Sequence, residues 1–249
     1  MTRREMLGVL IGAAGLTLTL ALFASGQIDE QLQWLFYDPA TRAWIFPARD
    51  PLWRPVLYTG PKVALTILSV GLGLVLVAGF FRERLRHFRL TVVYLVACLA
   101  LVPIAANGLK AVTNIACPSQ VAPFGGRLPH VGLFEPYPPG EASQRRYRCW
   151  PAAHASGGFA LLGLGFLGFW RRVWVGFVPG MAVGWIMGLY QMAKGAHFLS
   201  HTLVTLFGAL LICALLSALA RRHAPRLLGT APVDAIGEGL RLRRKPTMG

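Results

Sequence analysis

Charged residues are scarce in this chain. Only 14% of its 249 residues are Asp, Glu, Lys or Arg, and ten residues are acidic, whereas 55% are hydrophobic and the mean hydropathy is +0.52. This composition excludes an ordinary soluble domain. The sequence also lacks low-complexity tracts, and no CxxC pair suggests a metal site. We therefore expect a polytopic membrane protein.

Long apolar runs give the architecture. A bilayer core of about 30 Å needs roughly 20 apolar residues in a helix. Six runs bounded by charge approach this length, at residues 6–25, 56–81, 90–108, 155–170, 173–192 and 197–220. The fourth is short, so five spans are the alternative. The sequence predicts an all-α bundle of about six transmembrane helices in one domain, 1–220, followed by a basic cytoplasmic tail, 221–249.

The arginines indicate the orientation. Short loops rich in Lys and Arg tend to stay in the cytoplasm. With six alternating helices, the basic segments at 3–4, 82–89, 171–172 and 221–245 lie on one side. Both termini are then cytoplasmic, and the longer loops face outward, which we expect to be the periplasmic side of a bacterial inner membrane. Most of the net charge of +15 is then explained by the orientation of the protein in the membrane and requires no nucleic acid partner.

The first apolar run has a second interpretation. Two arginines, an apolar core and the small residues at 24–26 resemble a cleavable secretory signal peptide. The run is long for a signal core, which favours a retained first helix. Either outcome leaves the later segments in the same orientation.

The four cysteines form two groups. Cys98 and Cys213 lie inside predicted helices, whereas Cys117 and Cys149 bracket the long outer loop. If that side is oxidising, the loop pair can form a disulfide. Equally, the two thiols can remain free near a site. The sequence leaves both alternatives open.

Three short segments combine polar residues with helix ends on the outer side. They read Lys110-Ala-Val-Thr-Asn-Ile-Ala-Cys117-Pro118, Pro151-Ala-Ala-His154 and Gln191-Met-Ala-Lys194-Gly-Ala-His197-Phe-Leu-Ser200-His201. Their order and spacing resemble three signatures of the type 2 phosphatidic acid phosphatase superfamily, Lys-x6-Arg-Pro, Pro-Ser-Gly-His and Ser-Arg-x5-His-x3-Asp. The resemblance covers roughly residues 90–220. It implies a helical membrane phosphatase that uses no metal and no other cofactor.

The chain departs from these signatures at several positions. The replacements are Cys117 for Arg in the first signature, Ala152 and Ala153 for Ser-Gly in the second, and Tyr190, Gln191 and His201 for Ser, Arg and Asp in the third. Both arginines that grip phosphate in the family are thus absent from their expected positions. We expect an atypical branch in which other cations replace them or the chemistry is altered.

Two imidazoles at one membrane face suit phosphoryl transfer. One attacks phosphorus to form a phosphohistidine, and the other protonates the leaving alkoxide. By resemblance, His197 is the nucleophile and His154 the general acid, with the reverse assignment open. His201, one helical turn after His197, can orient it by accepting its proton. Glu135 and Glu141 from the outer loop are alternatives for that role.

Cations near the histidines can hold the phosphoryl oxygens. Lys110 ends the third predicted helix, and Lys194 lies three residues before His197. Arg148 closes an outer group with residues 145 and 146, which runs against the positive-inside trend. We expect Lys110, Lys194, Gln191 and Arg148 to bind substrate.

The sequence therefore predicts a lipid phosphatase at the outer membrane face. Its partners would be the bilayer and a phosphomonoester or diphosphate of an amphiphilic substrate. Two alternatives are a lipid phosphotransferase that uses the same intermediate and a non-catalytic protein that binds phosphate lipids. We expect no metal, because no clear cluster of carboxylates and histidines is present, although three histidines alone can ligate zinc.

Overall fold

The computed structural model describes residues 1–86, 88–140, 146–167 and 173–223. The helices are α1 (Arg3–Leu22), α2 (Gln27–Gln33), α3 (Gly60–Phe81), α4 (Glu83–Arg86), α5 (Arg89–Val112), α6 (Ala153–Ala160), α7 (Val173–Ala193) and α8 (Leu199–His223). A short antiparallel pair, β1 (Tyr37–Asp38) and β2 (Ala43–Trp44), lies in the first outer loop. Glu141, Arg145, the Arg171-Arg172 turn and the tail beyond 223 lie outside the described residues.

Five of the described helices are long and apolar enough to cross a membrane. They span Arg3–Leu22, Pro55–Phe81, Arg89–Val112, Trp174–Ala193 and Leu199–His223, where the second includes a π-helical turn, Pro55–Thr59, before α3. The fourth apolar run of the sequence is the short α6, which continues as a 3₁₀ segment, Leu161–Phe166. The predicted all-α membrane bundle is therefore confirmed, and the protein is an integral membrane protein.

The first and last spans, α1 and α8, pack closely against each other. A Cβ atom on Gly12 would lie 2.9 Å from the Cβ of Leu211, so only glycine allows this approach. We label the end of the bundle with the three sequence signatures the outer end and the opposite end the inner end. At the inner end, Arg221 Nε lies 2.6 Å from Glu5 Oε1, and Ser217 donates a hydrogen bond to the same oxygen at 2.8 Å. The ion pair and the glycine contact together fix α8 along α1.

A buried core joins α5 and α8 to the segment that follows α6. The Tyr94 hydroxyl lies 3.0 Å from the Gly163 carbonyl oxygen and 3.2 Å from that of Cys213. Phe159 and Phe166 are almost fully buried beside these groups. Because this core fixes α5, α6 and α8 relative to one another, it also fixes their outer ends, where the three sequence signatures lie.

The outer loops form a covalently linked cover over these helix ends. Cys117 and Cys149 form a disulfide with a Cα–Cα distance of 5.2 Å, which settles the alternative that the sequence leaves open. Two backbone hydrogen bonds join the same two segments of the chain. The Ile115 N–H donates to the Tyr147 carbonyl, and the Cys149 N–H donates to the Ile115 carbonyl, each at 3.1 Å. The first signature is thereby attached to the residues just before α6.

Candidate functional site

Three histidines from three different segments meet at the outer ends of the helices. His154 lies in the first turn of α6, His197 in the turn between α7 and α8, and His201 in the first turn of α8. The ring centroids of His154 and His197 are 5.4 Å apart, and those of His197 and His201 are 5.6 Å apart. The structure thus brings together all three residues predicted as catalytic.

The tight turn before His197 depends on Gly195. Its φ of +71° lies in the left-handed region, which glycine adopts at little cost. A Cβ atom here would also lie 2.4 Å from Trp44 Cε2 in the first outer loop. The Ala196 N–H donates to the Gln191 carbonyl at 2.8 Å and closes the end of α7. This geometry places His197 immediately before α8.

His197 is held at one nitrogen and has no partner at the other. Its Nδ1 lies 3.3 Å from His201 Nδ1 and 3.6 Å from Cys149 Sγ. Its Nε2 is buried and has no hydrogen-bond partner among the described residues. Only 1% of the side chain's surface is exposed. Burial, reinforced by the neighbouring His201 and His154, holds the pKa of His197 well below its ordinary value, so the ring is neutral.

His201 can act as the acceptor in its contact with His197. A neutral imidazole carries one N–H and one acceptor nitrogen, so across the 3.3 Å contact one Nδ1 donates and the other accepts. When the N–H is on His197 Nδ1, His201 Nδ1 accepts it and His197 Nε2 keeps its lone pair.

His154 lines an open cleft of about 650 Å³ between α3 and α5. Its Nδ1 lies 2.8 Å from the Tyr58 hydroxyl, and the two rings pack edge to face at 5.4 Å. Lys62, Lys110 and Arg148 line the same cleft, which we name the cationic cleft. Its remaining walls include Leu65, Val70, Leu99, Pro103 and Met187. The cleft thus combines three cations at one end with an apolar passage between two spans.

The four residues predicted to bind substrate occupy different places. Lys110 and Arg148 line the cationic cleft, whereas Lys194 lies above the rings of Tyr58 and Tyr190, with Nζ 5.7 and 5.3 Å from their centroids. Burial lowers the pKa of Lys194, and the nearby charge of Arg54 adds to this effect. Gln191 is buried, and its Oε1 has no partner within the described part of the chain.

Arg146, another arginine of the second outer loop, does not line the cationic cleft. Arg146 donates to the Val112 carbonyl at 3.2 Å, at the end of α5, and Arg145 lies outside the described residues. At the first signature's arginine position, Cys117 is instead disulfide-bonded to Cys149, whose sulfur contacts His197. The positive charge at this site is thus supplied by lysines, by Arg148 and by the nearby Arg54, and not by the two arginine positions of the signatures.

The alternative orienting carboxylates have other contacts. Glu135 Oε2 accepts a hydrogen bond from the Gly132 N–H of its own loop at 2.9 Å, and Glu141 lies outside the described residues. A different acid, Asp29 of α2, reaches α8. It accepts hydrogen bonds from the Ser200 N–H at 2.9 Å and from the Ser200 hydroxyl. Burial raises the pKa of Asp29 to about 6, so the carboxylate is ionised near neutral pH while it caps the helix that follows His197.

Sequence reasoning missed Tyr58, Lys62 and Asp29. Tyr58 and Lys62 are one helical turn apart at the start of the second apolar run, where a lysine close to an apolar span is itself a signal. Asp29 is one of ten acidic residues in the chain. Neither signal identifies the residue that is contacted. Asp29, for example, contacts Ser200, which is 171 positions away in the sequence.

One group in this site has the residue types of a metal centre. The ligand atoms of Cys149, His197 and His201 lie within 4.8 Å of one another. However, the Cys149 sulfur is bonded to Cys117, so it cannot act as a thiolate ligand. Two histidine nitrogens remain, fewer than the three protein ligands of a usual catalytic zinc site. This group of three residues therefore does not fit zinc while the disulfide is intact.

One protein-family model matches the part of the chain that contains this site. The model of the PAP2 superfamily matches residues 91–224, which include α5, α6, α7 and α8 and all three histidines. Neither the curated proteins nor the solved structures contained a match. Members of the matched family are membrane phosphatases. The chain, a phosphatase-type membrane protein, therefore belongs to the PAP2 superfamily.

Proposed function

We propose that this protein is a membrane lipid phosphatase that hydrolyses a phosphomonoester or diphosphate of an amphiphilic substrate through a phosphohistidine on His197. The unpaired Nε2 of His197, buried beside His154, carries this proposal. A buried nitrogen without a partner costs about 1–3 kcal/mol. Such groups call for an explanation, and a catalytic role is one that fits this site.

In the first step, His197 acts as the nucleophile. Its Nδ1–H donates to His201, so the lone pair of Nε2 is available to attack phosphorus. As the N–P bond forms, the bond between phosphorus and the ester oxygen breaks. His154 must be protonated to act as the acid. Burial and the charges of the nearby lysines lower its pKa to about 4, so the negative charge of the bound phosphate has to raise it. The protonated His154 then gives its proton to that oxygen, and the alcohol leaves.

In the second step, water attacks the phosphohistidine. The now neutral His154 takes a proton from the water as its oxygen bonds to phosphorus. The N–P bond breaks, inorganic phosphate is released, and His197 regains its lone pair. The 2.8 Å hydrogen bond between Tyr58 and His154 Nδ1 would hold the second imidazole in place during both proton transfers.

The cations of the cleft would stabilise the phosphoryl oxygens. Lys62, Lys110 and Arg148 converge on the same space as His154, and Lys194 adds charge beside Tyr58. Positive groups already held in place at developing negative charge usually make the largest contribution to such catalysis. We infer that they replace the arginines that the signatures would supply at positions 117 and 191.

The walls of the cationic cleft favour an amphiphilic substrate. Leu65, Val70 and Leu99 belong to membrane-spanning helices, and 57% of the Val70 surface is exposed. A lipid can therefore place its phosphate near His154 while its chain stays between α3 and α5. We further propose that the site faces the periplasm from a bacterial inner membrane, which agrees with the arginine distribution and with a disulfide on the outer side.

Phosphate release from purified protein tests this function. The assay uses a panel of lipid phosphates and diphosphates in detergent, with a metal chelator, and compares wild type with His197→Ala. His223→Ala, at the exposed inner end of α8, is the matched control. We expect chelator-insensitive release that is lost in His197→Ala and unchanged in the control. Activity that the chelator abolishes, or that survives His197→Ala, would contradict the proposal.

A second substrate separates the roles of the two histidines. An aryl phosphate has a good leaving group that needs little protonation, whereas a lipid alkoxide needs an acid. His154→Ala should therefore lose about 10²–10⁴-fold with lipid phosphates and far less in the first turnover with the aryl phosphate. If His197→Ala instead lost activity mainly with lipid phosphates, and His154→Ala lost it with both substrates, the roles of the two histidines would be exchanged. Phosphate transfer to an added lipid alcohol without release would identify a phosphotransferase, and binding without turnover a binding protein.

A further inference from the structure

A second cleft lies at the opposite end of the bundle from the histidines. It has a volume of about 720 Å³ and is formed by α1, α7 and α8 together with Leu162. We name it the inner groove. Its apolar lining includes Leu7, Ile11, Phe177, Met181 and Leu210, and Arg3 and Arg4 are also part of its wall.

The part of the groove along α1 covers about two thirds of the depth of a single leaflet. Arg4 and Ile11 are seven residues apart on α1, which at 1.5 Å per residue is about 10 Å. One leaflet contributes roughly 15 Å of hydrocarbon to a bilayer core of about 30 Å. Phe177 lies four residues from the inner end of α7, so the α7 wall of the groove also lies toward the inner end of the bundle. An acyl chain of the inner leaflet therefore fits along the groove with its headgroup at the arginines.

The charges at the mouth favour an anion. Arg3 is exposed, and Arg4 makes a long 3.4 Å hydrogen bond to the Leu167 carbonyl. The nearest carboxylate in sequence, Glu5, does not neutralise them, because its oxygens are hydrogen-bonded to Arg221, Ser217 and the Thr2 N–H. Two guanidinium groups thus stand above an apolar groove without a described acidic partner.

We propose that the inner groove is a binding site for an anionic phospholipid of the inner leaflet, with one acyl chain along α1 and its phosphate at Arg3 and Arg4. This site is separate from the phosphatase site and does not depend on the proposed reaction. Each arginine near an anionic headgroup is expected to strengthen binding about fivefold, so the pair gives roughly a 30-fold preference over a zwitterionic lipid. Because α1 packs on α8, the bound lipid would brace the helix that contains His201.

Native mass spectrometry of the full-length protein tests the proposal. Phosphatidylglycerol and phosphatidylcholine with identical acyl chains are titrated onto wild type, Arg3→Gln/Arg4→Gln and the control Arg82→Gln/Arg222→Gln. The control removes the same charge from exposed residues outside the groove. We expect wild type and the control to bind one phosphatidylglycerol with about a 30-fold preference, in addition to any lipid in the cationic cleft, and the groove variant to lose that one binding event. Equal loss in both variants, or no preference in wild type, would overturn the site.

A second measurement uses the unmodified protein, so it stands even if a variant fails to fold. Phosphatidylglycerol with a photoreactive group in its acyl chain is crosslinked to wild type in vesicles, and the labelled peptides are mapped. Labels should concentrate on residues 7–11, 177–181 and 206–210. An even distribution over all spans would mean that the lipid is only bulk solvent. Ile11→Trp, which fills the groove without changing its charge, should remove the concentrated labels.

Discussion

The Nδ1 atoms of His197 and His201 lie 3.3 Å apart, within reach of a hydrogen bond between two imidazoles. The third family signature has an aspartate at the position of His201. A neutral nitrogen acceptor fixes the tautomer of His197 as a carboxylate would, but it gives less stabilisation to the positive charge that develops on the ring. In the proposed mechanism, the pair therefore preserves the orientation of His197 as the nucleophile and weakens its electrostatic support.

Replacement of His201 should affect turnover more than substrate binding. His201→Ala removes the acceptor, and we expect kcat to fall about 10–100-fold with little change in KM. His201→Asn, whose amide oxygen can accept the same proton, should retain more of the activity. The check is steady-state kinetics on variants with unchanged thermal midpoints. Equal activity of His201→Ala and wild type would show that His201 has no orienting role.

Tyr58→Phe should lower kcat through His154. The substitution removes a 2.8 Å hydrogen bond to His154 Nδ1 and leaves the aromatic ring. A hydrogen bond of this kind contributes about 1 kcal/mol, so kcat should fall about fivefold to tenfold and the pH profile should shift. Tyr190→Phe is the matched control, because the Tyr190 hydroxyl has no partner among the described residues. Similar losses in both variants would point to general packing and not to this bond.

Asp29 should make stability depend on pH. Its folded pKa of about 6 lies above the ordinary value of 3.8, so the folded state binds a proton more readily than the unfolded state. The contribution of Asp29 to stability should therefore be greatest below about pH 4 and fall as pH rises through 6, by about 3 kcal/mol in total. Thermal midpoints in detergent should lose this slope in Asp29→Asn and keep it in Asp38→Asn, an exposed acid of the same loop. A slope unaffected by Asp29→Asn would refute the assignment.

Reduction of the disulfide should destabilise the outer cover. Cys117 and Cys149 are 32 residues apart, and closure of a loop of this length contributes about 3–4 kcal/mol in the chain-entropy description. We expect a dithiol reductant to lower the thermal midpoint and, through the contact between Cys149 and His197, the activity. The Cys117→Ser/Cys149→Ser variant should resemble the reduced protein and be insensitive to the reductant. A midpoint that neither change affects would exclude a stabilising role.

The sequence predicts much of the bundle because span length and charge placement follow directly from the bilayer. It does not predict the 3₁₀ segment after α6, since hydropathy reports whether a stretch is apolar and not which helix it forms. The glycines at 163 and 165 lower helix propensity there, but tertiary packing decides the outcome.

The candidate site, too, could be predicted only in part from the sequence. Its histidines could be found because each lies within a short signature, where spacing has a local meaning. The partners of those signatures come from far along the chain. Tyr58 is 96 residues from His154, and Asp29 is 171 residues from Ser200. Such contacts depend on how the spans pack, which a single sequence does not report.

The packing of α1 against α8 imposes an order on biosynthesis. The glycine face of α1 is made first, and its partner helix is the last span that the ribosome produces. About 200 residues separate the two ends, so at 5–20 residues per second α1 waits roughly 10–40 s in the membrane before α8 arrives. His197 and His201 arrive with that last segment. An unfinished chain therefore contains the residues of the cationic cleft but lacks His197 and His201, so the group of three histidines cannot assemble before the last span is made.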